Sequence, residues 1–296
     1  MYGEIAANKR NSWFLIAAVT AVLVIVGYVL GRYWGSGYAG IALAVVIALV
    51  SSLSAYYRGD RMVLAFSKAR RIEKKDYPQF FNVVEELCIA GALPLPAIYV
   101  IEDTAPNAFA TGRDPEHASV AITTGLMEKL NRDELQGVMA HELSHVGNRD
   151  ILFATMVGIM VGSIVLVSDF FLRSVFWSGG RRRKKSGSGG GGAILMIVAV
   201  VLAILAPLFA KVLQLAVSRQ REYLADASAA KLTRYPEGLA SALEKIAGDR
   251  EVLEVANRAT QHLYIVNPIK PFEKRAKNIF STHPPIEERV ARLRAL

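Results

Sequence analysis

The chain of 296 residues has room for about two domains of ordinary size, but 52% of its residues are apolar, gathered into four long runs that a soluble protein seldom carries even once. The net charge of +9 does not mark a nucleic-acid binder, because the basic residues stand beside the apolar runs, where anionic lipid and membrane topology account for them. One cysteine, Cys88, excludes an intrachain disulfide and a cysteine-built metal site, and its apolar helical surroundings predict a small core residue.

Lys9 and Arg10 precede an apolar run from Trp13 to Leu30. It is too long for the h-region of a cleavable signal, about 7–15 residues, and reads as a signal anchor. Two spans are expected, Asn11–Gly31 and Gly37–Tyr57, with Trp13, Tyr28, Tyr33, Trp34, Tyr38, Tyr56 and Tyr57 near their ends at headgroup level. Gly40, Ala44 and Ala48 recur every four residues, which either lets another helix approach closely or reflects the ordinary composition of spans. Past Tyr57 the chain turns basic, with Arg58, Arg61, Lys68, Arg70, Arg71, Lys74 and Lys75, so this flank and the N-terminus are expected in the cytoplasm.

A soluble segment follows. Pro78 to Gly91 reads as a helix, with proline in its first turn and glycine at its end. Ala97–Asp103, Asn107–Thr111 and Ser119–Gly125 read as short strands between the breakers Pro106, Gly112 and Pro115. Asn131 and Glu134 form a capping-box pattern opening a helix that should end near Gly147-Asn148. Two more apolar runs, Ile151–Leu172 and Ala193–Val217, flank a loop with five consecutive basic residues, Arg181–Lys185, and a flexible glycine/serine tract. Ala154, Gly158 and Gly162 form a second small-residue stripe, Pro207 should kink the fourth run, and residues 218–296 read as helical and polar. The parts are thus a first membrane hairpin (1–57), a cytoplasmic catalytic part (58–150), a second membrane hairpin (151–217) and a further catalytic part (218–296).

The chemistry lies in His141-Glu142-Leu143-Ser144-His145. Residues four apart share a helix face, so both imidazoles can reach one ion. Glu142, one residue round, cannot easily join them but can touch a water at that ion. A short motif of this kind also arises by chance, as two incidental surface histidines. Against that stand the capping signals, the apolar neighbours Val138, Met139, Leu143 and Val146, and a second helix with matching carboxylates. In that helix Glu222 and Asp226 are four apart. Two histidines and a glutamate with an open fourth position form a catalytic zinc set, and a carboxylate one turn on could hold the distal N–H of a ligating histidine. Ion pairs with Arg219 and Arg221 are the competing reading. His283, in Ser281-Thr282-His283-Pro284-Pro285, is either a cap (Thr282 being the other candidate) for the helix Ile286–Leu296 or a donor to the oxyanion of a tetrahedral intermediate. His117 and His262 read as solvated.

Four motifs, His141–His145, Arg221-Glu222-Tyr223-Leu224-Ala225-Asp226, Asn107-Ala108-Phe109-Ala110-Thr111-Gly112 and Ser281–Pro285, stand in the order that resembles HtpX-type membrane zinc metalloproteases, relatives of the prenyl-protein CAAX proteases. The resemblance runs from the first span to the last helix. It implies one Zn2+ per chain on His141, His145 and Glu222, with Glu142 as general base and a gluzincin-like catalytic domain on two transmembrane hairpins: a mainly α membrane protein with a small β-sheet. It also implies an edge strand at Asn107, Ala108 and Phe109 that pairs with substrate backbone, as unpaired N–H and C=O groups allow. The basic run Arg181–Lys185 is not explained by the family pattern.

The expected activity is a multi-pass endopeptidase of the cytoplasmic membrane, its site facing the cytoplasm. The resemblance implies polypeptide substrates, misfolded or membrane proteins, and a quality-control role under stress. Three alternatives remain. A prenyl-peptide processing protease usually has more spans. An intramembrane protease would need its metal helix inside a span, whereas Asp133, Glu134, Gln136, Asn148, Arg149 and Asp150 place this one at the water side. A non-catalytic zinc-stabilised scaffold would need a fourth ligand, and would not need Glu142.

Overall fold

The computed structural model describes residues 36–157, 219–249 and 284–296, with single positions between 10 and 28 and at 251, 264 and 265. The described positions from Arg10 to Tyr28 are helical. Most of the third apolar run, the whole fourth run, the basic loop, His262 and His283 lie outside the described residues.

Helix α1, Gly37–Phe66, opens at Ser36, whose hydroxyl accepts from Ala39 N–H at 3.3 Å. Among the described residues it is the one helix long and apolar enough to cross a membrane. Its buried positions include Ala44, Ala48, Ala55 and Gly59, while Leu43, Val46, Leu49, Val50 and Leu53 are exposed. Ala44 and Ala48 of the small-residue stripe therefore face protein, and the large apolar residues face outward. The helix does not stop at Tyr57 as the composition change suggests. It runs nine residues further, straight through the buried Gly59, to carry Val63 and Leu64 into a core.

The catalytic half is built on a four-stranded mixed sheet, β1 (Arg70–Arg71), β2 (Ala97–Ile101), β3 (Ala108–Gly112) and β4 (Ala118–Thr123), ordered β1-β2-β4-β3. β2 and β4 run parallel, joined across the β3 excursion, and β1 and β3 are antiparallel edges. Alternation along the strands divides the core. Val100, Ala110, Val120 and Ile122 face helices α2 (Pro78–Gly91) and α4 (Arg132–Gly147). Ile101, Phe109 and Ala121 turn the other way, onto Val63 and Leu64 of α1 and onto Tyr264.

The turn from β3 to β4 needs Gly112: its φ is +143°, and a Cβ there would strike the backbone carbonyl of His117. The expected strand over residues 119–125 ends at Thr123. The reason is local, since the Thr123 hydroxyl caps the short helix α3, Thr124–Lys129, which sequence periodicity did not reveal. Helices α5 (Arg219–Thr233), α6 (Pro236–Gly248) and α7 (Ile286–Arg294) complete the catalytic half around α4. The N-cap position of α7 is Pro285, which has no side-chain cap of its own, and Thr282 and His283, the expected capping residues, lie outside the described residues.

Candidate metal centre and active site

α4 is the axis of the site. Asn131 and Glu134 cap it reciprocally, each side chain accepting the other's backbone N–H at 2.9 Å. Eleven of its sixteen residues are buried, so it is enclosed by protein rather than lying on a surface. At its second turn Gly137 meets α6 so closely that a Cβ would lie 2.5 Å from Leu239 N.

His141 and His145 face one another at 3.2 Å between their Nε2 atoms. Glu222 of α5 stands 3.8 Å from His141 Nε2 and 3.7 Å from His145 Nε2. The three donor atoms lie within 4.8 Å of one another. Two nitrogens bound at about 2.0–2.1 Å to one tetrahedral ion lie about 3.3 Å apart, so the spacing fits a shared metal. The distal nitrogens are also held. His141 Nδ1 is 2.9 Å from Asp226 Oδ1, and His145 Nδ1 is 3.1 Å from Asp150 Oδ2. Carboxylates in that position fix a ligating imidazole's tautomer and raise its basicity, which incidental histidines do not require. Sequence reading put Asp226 in this place but used Asp150 only as a mark of the water side.

Glu142 is 2% exposed. Burial, assisted by the charge of Glu222, pushes its carboxyl up to about 8, against the pull of His145 and of the Ala110 N–H that it accepts. Burial takes His141 down to about 4, whereas Asp150, Glu222 and Glu142 outweigh burial at His145 and raise it to about 9. Asp226 is brought down to about 2 by His141 and Arg289, although burial alone would raise it. Arg289 of α7, fully buried among these groups, is the residue that sequence reading missed.

β3 passes beside Glu142 as the sheet edge. Thr123 N–H donates to Asn107 O at 3.0 Å, so by the antiparallel alternation Asn107 and Phe109 turn their backbone groups towards β4. Ala108 and Ala110 turn theirs outward: Ala108 O accepts from Ile265 N–H at 3.1 Å, and Ala110 N–H donates to Glu142. The Asn107 side chain is buried and accepts from Ala108 N–H, and the Phe109 ring packs edge-on against Tyr264 at 5.2 Å. The expected His117 is exposed, paired with Asp114 at 2.6 Å, and stands in the β3–β4 turn away from this cluster. Cys88 is buried, as read from its surroundings, and burial pushes its thiol up to about 11.

Two imidazoles and an adjacent buried carboxylate on one helix, with a third donor from another helix, make the constellation of a metallopeptidase. The model of peptidase family M48 matches residues 75–296. The chain is 47% identical over 295 residues to a "Protease HtpX homolog" of Dictyoglomus turgidum, covering 100% of this chain and 94% of that one. It is 39% identical over 298 residues to another of the same description from Streptococcus gordonii, covering both in full. The crystal structure of S. mikatae Ste24p shares the fold at 19% identity with a TM-score of 0.50, over 99% of this chain and 67% of that one. The chain belongs to peptidase family M48. It is a membrane metalloprotease, a hydrolase acting on polypeptides.

Proposed function

We propose that the protein is a zinc endopeptidase of the cytoplasmic membrane in which His141, His145 and Glu222 hold one zinc ion and Glu142 is the general base. The observation that carries this reading is the convergence of three donor atoms within 4.8 Å, with the distal nitrogens of both histidines held by carboxylates. A His2Glu donor set suits zinc, and zinc when bound supplies a Lewis acid that polarises a carbonyl and acidifies a water. Glu142 takes the proton of the attacking water and returns it to the departing amide nitrogen. Its depth in the protein keeps bulk water from competing for that proton. The Ala108 and Ala110 N–H groups are held by Asn107 Oδ1 and Glu142, so an extended substrate would join this edge by taking the place of Ile265 at the Ala108 carbonyl. Asn107 Oδ1 occupies the Ala108 N–H on the outer side of the strand, and Phe109 anchors the strand to α1.

The site faces the cytoplasm in this reading, on the basic side of the first hairpin. Its substrates are misfolded or membrane polypeptides, in keeping with relatives described as HtpX protease homologues. Four apolar runs, rather than the larger number of a prenyl-peptide protease, favour this assignment. Purified protein in detergent should cleave unfolded polypeptide, stop with chelator and recover with zinc. Glu142→Gln should keep zinc at wild-type stoichiometry and lose cleavage. A variant that retains full cleavage removes Glu142 from the mechanism.

A further inference from the structure

Arg289 lies at the far end of the chain, 148 residues from His141, on a nine-residue helix whose sequence looks like a charged surface helix. Yet it is 0% exposed. Its guanidinium grips Asp226 with two bonds, Nε to Oδ2 at 2.9 Å and Nη2 to Oδ1 at 2.7 Å. The same Asp226 Oδ1 receives His141 Nδ1 at 2.9 Å. Nη2 is 3.4 Å from both ring nitrogens of His141, so the guanidinium lies against the ring. Nη1 is 3.7 Å from Glu222 Oε2 and 3.4 Å from Ile265 O.

A buried arginine is an expensive way to fill space. An apolar residue of similar volume often stabilises as well or better, so the choice of arginine calls for another reason. Asp226 offers one. A carboxylate held only by an imidazole can rotate about its Cβ–Cγ bond, and the imidazole turns with it. A planar fork on both oxygens fixes the plane of the carboxylate, which a lysine point charge does not. We propose that Arg289 is a positioning residue of the metal centre: by clamping Asp226 it sets the rotation and tautomer of His141, so that His141 Nε2 faces His145 and Glu222. The proposal rests on reading those three residues as the metal ligands.

The test uses the full chain in detergent, with cobalt(II) as the metal and its visible absorption as the readout of ligand geometry. Arg289→Lys keeps the charge and loses the fork. It should stay folded, bind cobalt and zinc about 10–100-fold more weakly, the range for lost support of a ligand, and show a shifted cobalt spectrum. Its kcat should fall with KM unchanged. Asp226→Asn should show a loss of the same size, and the double variant should lose no more than either single one, because both act through one carboxylate. A folded Arg289→Lys with wild-type affinity and spectrum overturns the proposal, as do additive losses in the double variant. If Arg289→Lys does not fold, Asp226→Asn decides: wild-type cobalt affinity there leaves Arg289 nothing to act through. Wild-type protein that takes up no cobalt, or His141→Ala that binds it unchanged, overturns the metal reading itself and this role with it.

Discussion

Asp150 opens the helical stretch that follows the turn after α4 and touches His145 from the side opposite Glu222. Asp150→Asn should weaken metal binding about 10–100-fold while leaving the fold intact, since only the imidazole's support is lost. Metal competition against a chelator measures it, and unchanged affinity would show that His145 is oriented by packing alone. The two supporting carboxylates differ in how they announce themselves. Asp226 stands four residues from Glu222 on one helix, so its position follows from helical spacing. Asp150 follows the turn at Asn148 and the left-handed Arg149, and no periodicity connects it to His145. Arg289 was illegible for a different reason: in Glu287-Glu288-Arg289 nothing local distinguishes a buried arginine from its solvated neighbours. His141, Glu142, His145 and Glu222 were legible because metal ligation constrains residue type and spacing together.

At the scale of elements, α4 is fixed at its start by Glu134. Burial pushes the Glu134 carboxyl up, but Lys245 at 2.7 Å, Ser241 at 2.6 Å and the Asn131 N–H together hold it below the usual carboxylate range. Its contribution to stability is therefore complete above the unfolded value of about 4.3 and is lost as pH falls through the lower folded value. Glu134→Gln should cost about 1–2 kcal/mol at pH 7, and thermal melts should show that deficit shrinking below about pH 4. A deficit that persists in acid would assign the effect to shape rather than charge. A second test lies at Gly137. Helix propensity alone favours alanine by about 1 kcal/mol. The new Cβ, however, would sit 2.5 Å from Leu239 N and 2.8 Å from Leu239 Cα, both backbone atoms that cannot swing aside. Overpacking of about 1–3 kcal/mol wins. Gly137→Ala should lower the melting temperature and slow proteolysis, because His141 follows one turn later. The capping box and the ends of α2 and α4 were readable from side-chain chemistry at the chain ends of each helix. α3 and the overrun of α1 were not, because α3 is too short to show a period and α1 is prolonged by contacts with a sheet far away in sequence.

For the whole molecule, topology turns on the two apolar runs between α4 and α5. His145 precedes the third apolar run and Glu222 follows the fourth, yet they stand 3.7 Å apart. Both outer ends of the hairpin are thus on one side. If both runs span, Arg181–Lys185 lies on the opposite side, against the positive-inside bias. Runs of 22 and 25 mainly apolar residues are long enough, at about 1.5 Å each, to cross a core of about 30 Å. We propose that both runs span, because burial of that much apolar surface outweighs a charge bias largely set by earlier spans. In a Cys88→Ser background, Ser186→Cys should react with a membrane-impermeant thiol reagent in intact cells; labelling only after lysis would mean a hairpin that dips without crossing.

The unbroken course of α1 sets a distance. About twenty of its thirty residues suffice for a hydrocarbon core, leaving about ten, or about 15 Å of helix, that run alongside the sheet: Val63 and Leu64 lie under Phe109, and the Arg113 guanidinium just after β3 stands 5.4 Å from the Tyr57 ring. If α1 crosses the membrane, Val63 and Leu64 locked under Phe109 hold β3 close to the lipid surface. Access is then a matter of tether length. An extended chain covers about 3.3–3.6 Å per residue, so a polypeptide leaving the bilayer would need no more than about five unfolded residues to come level with β3. A folded domain abutting the membrane shields its own stalk from β3.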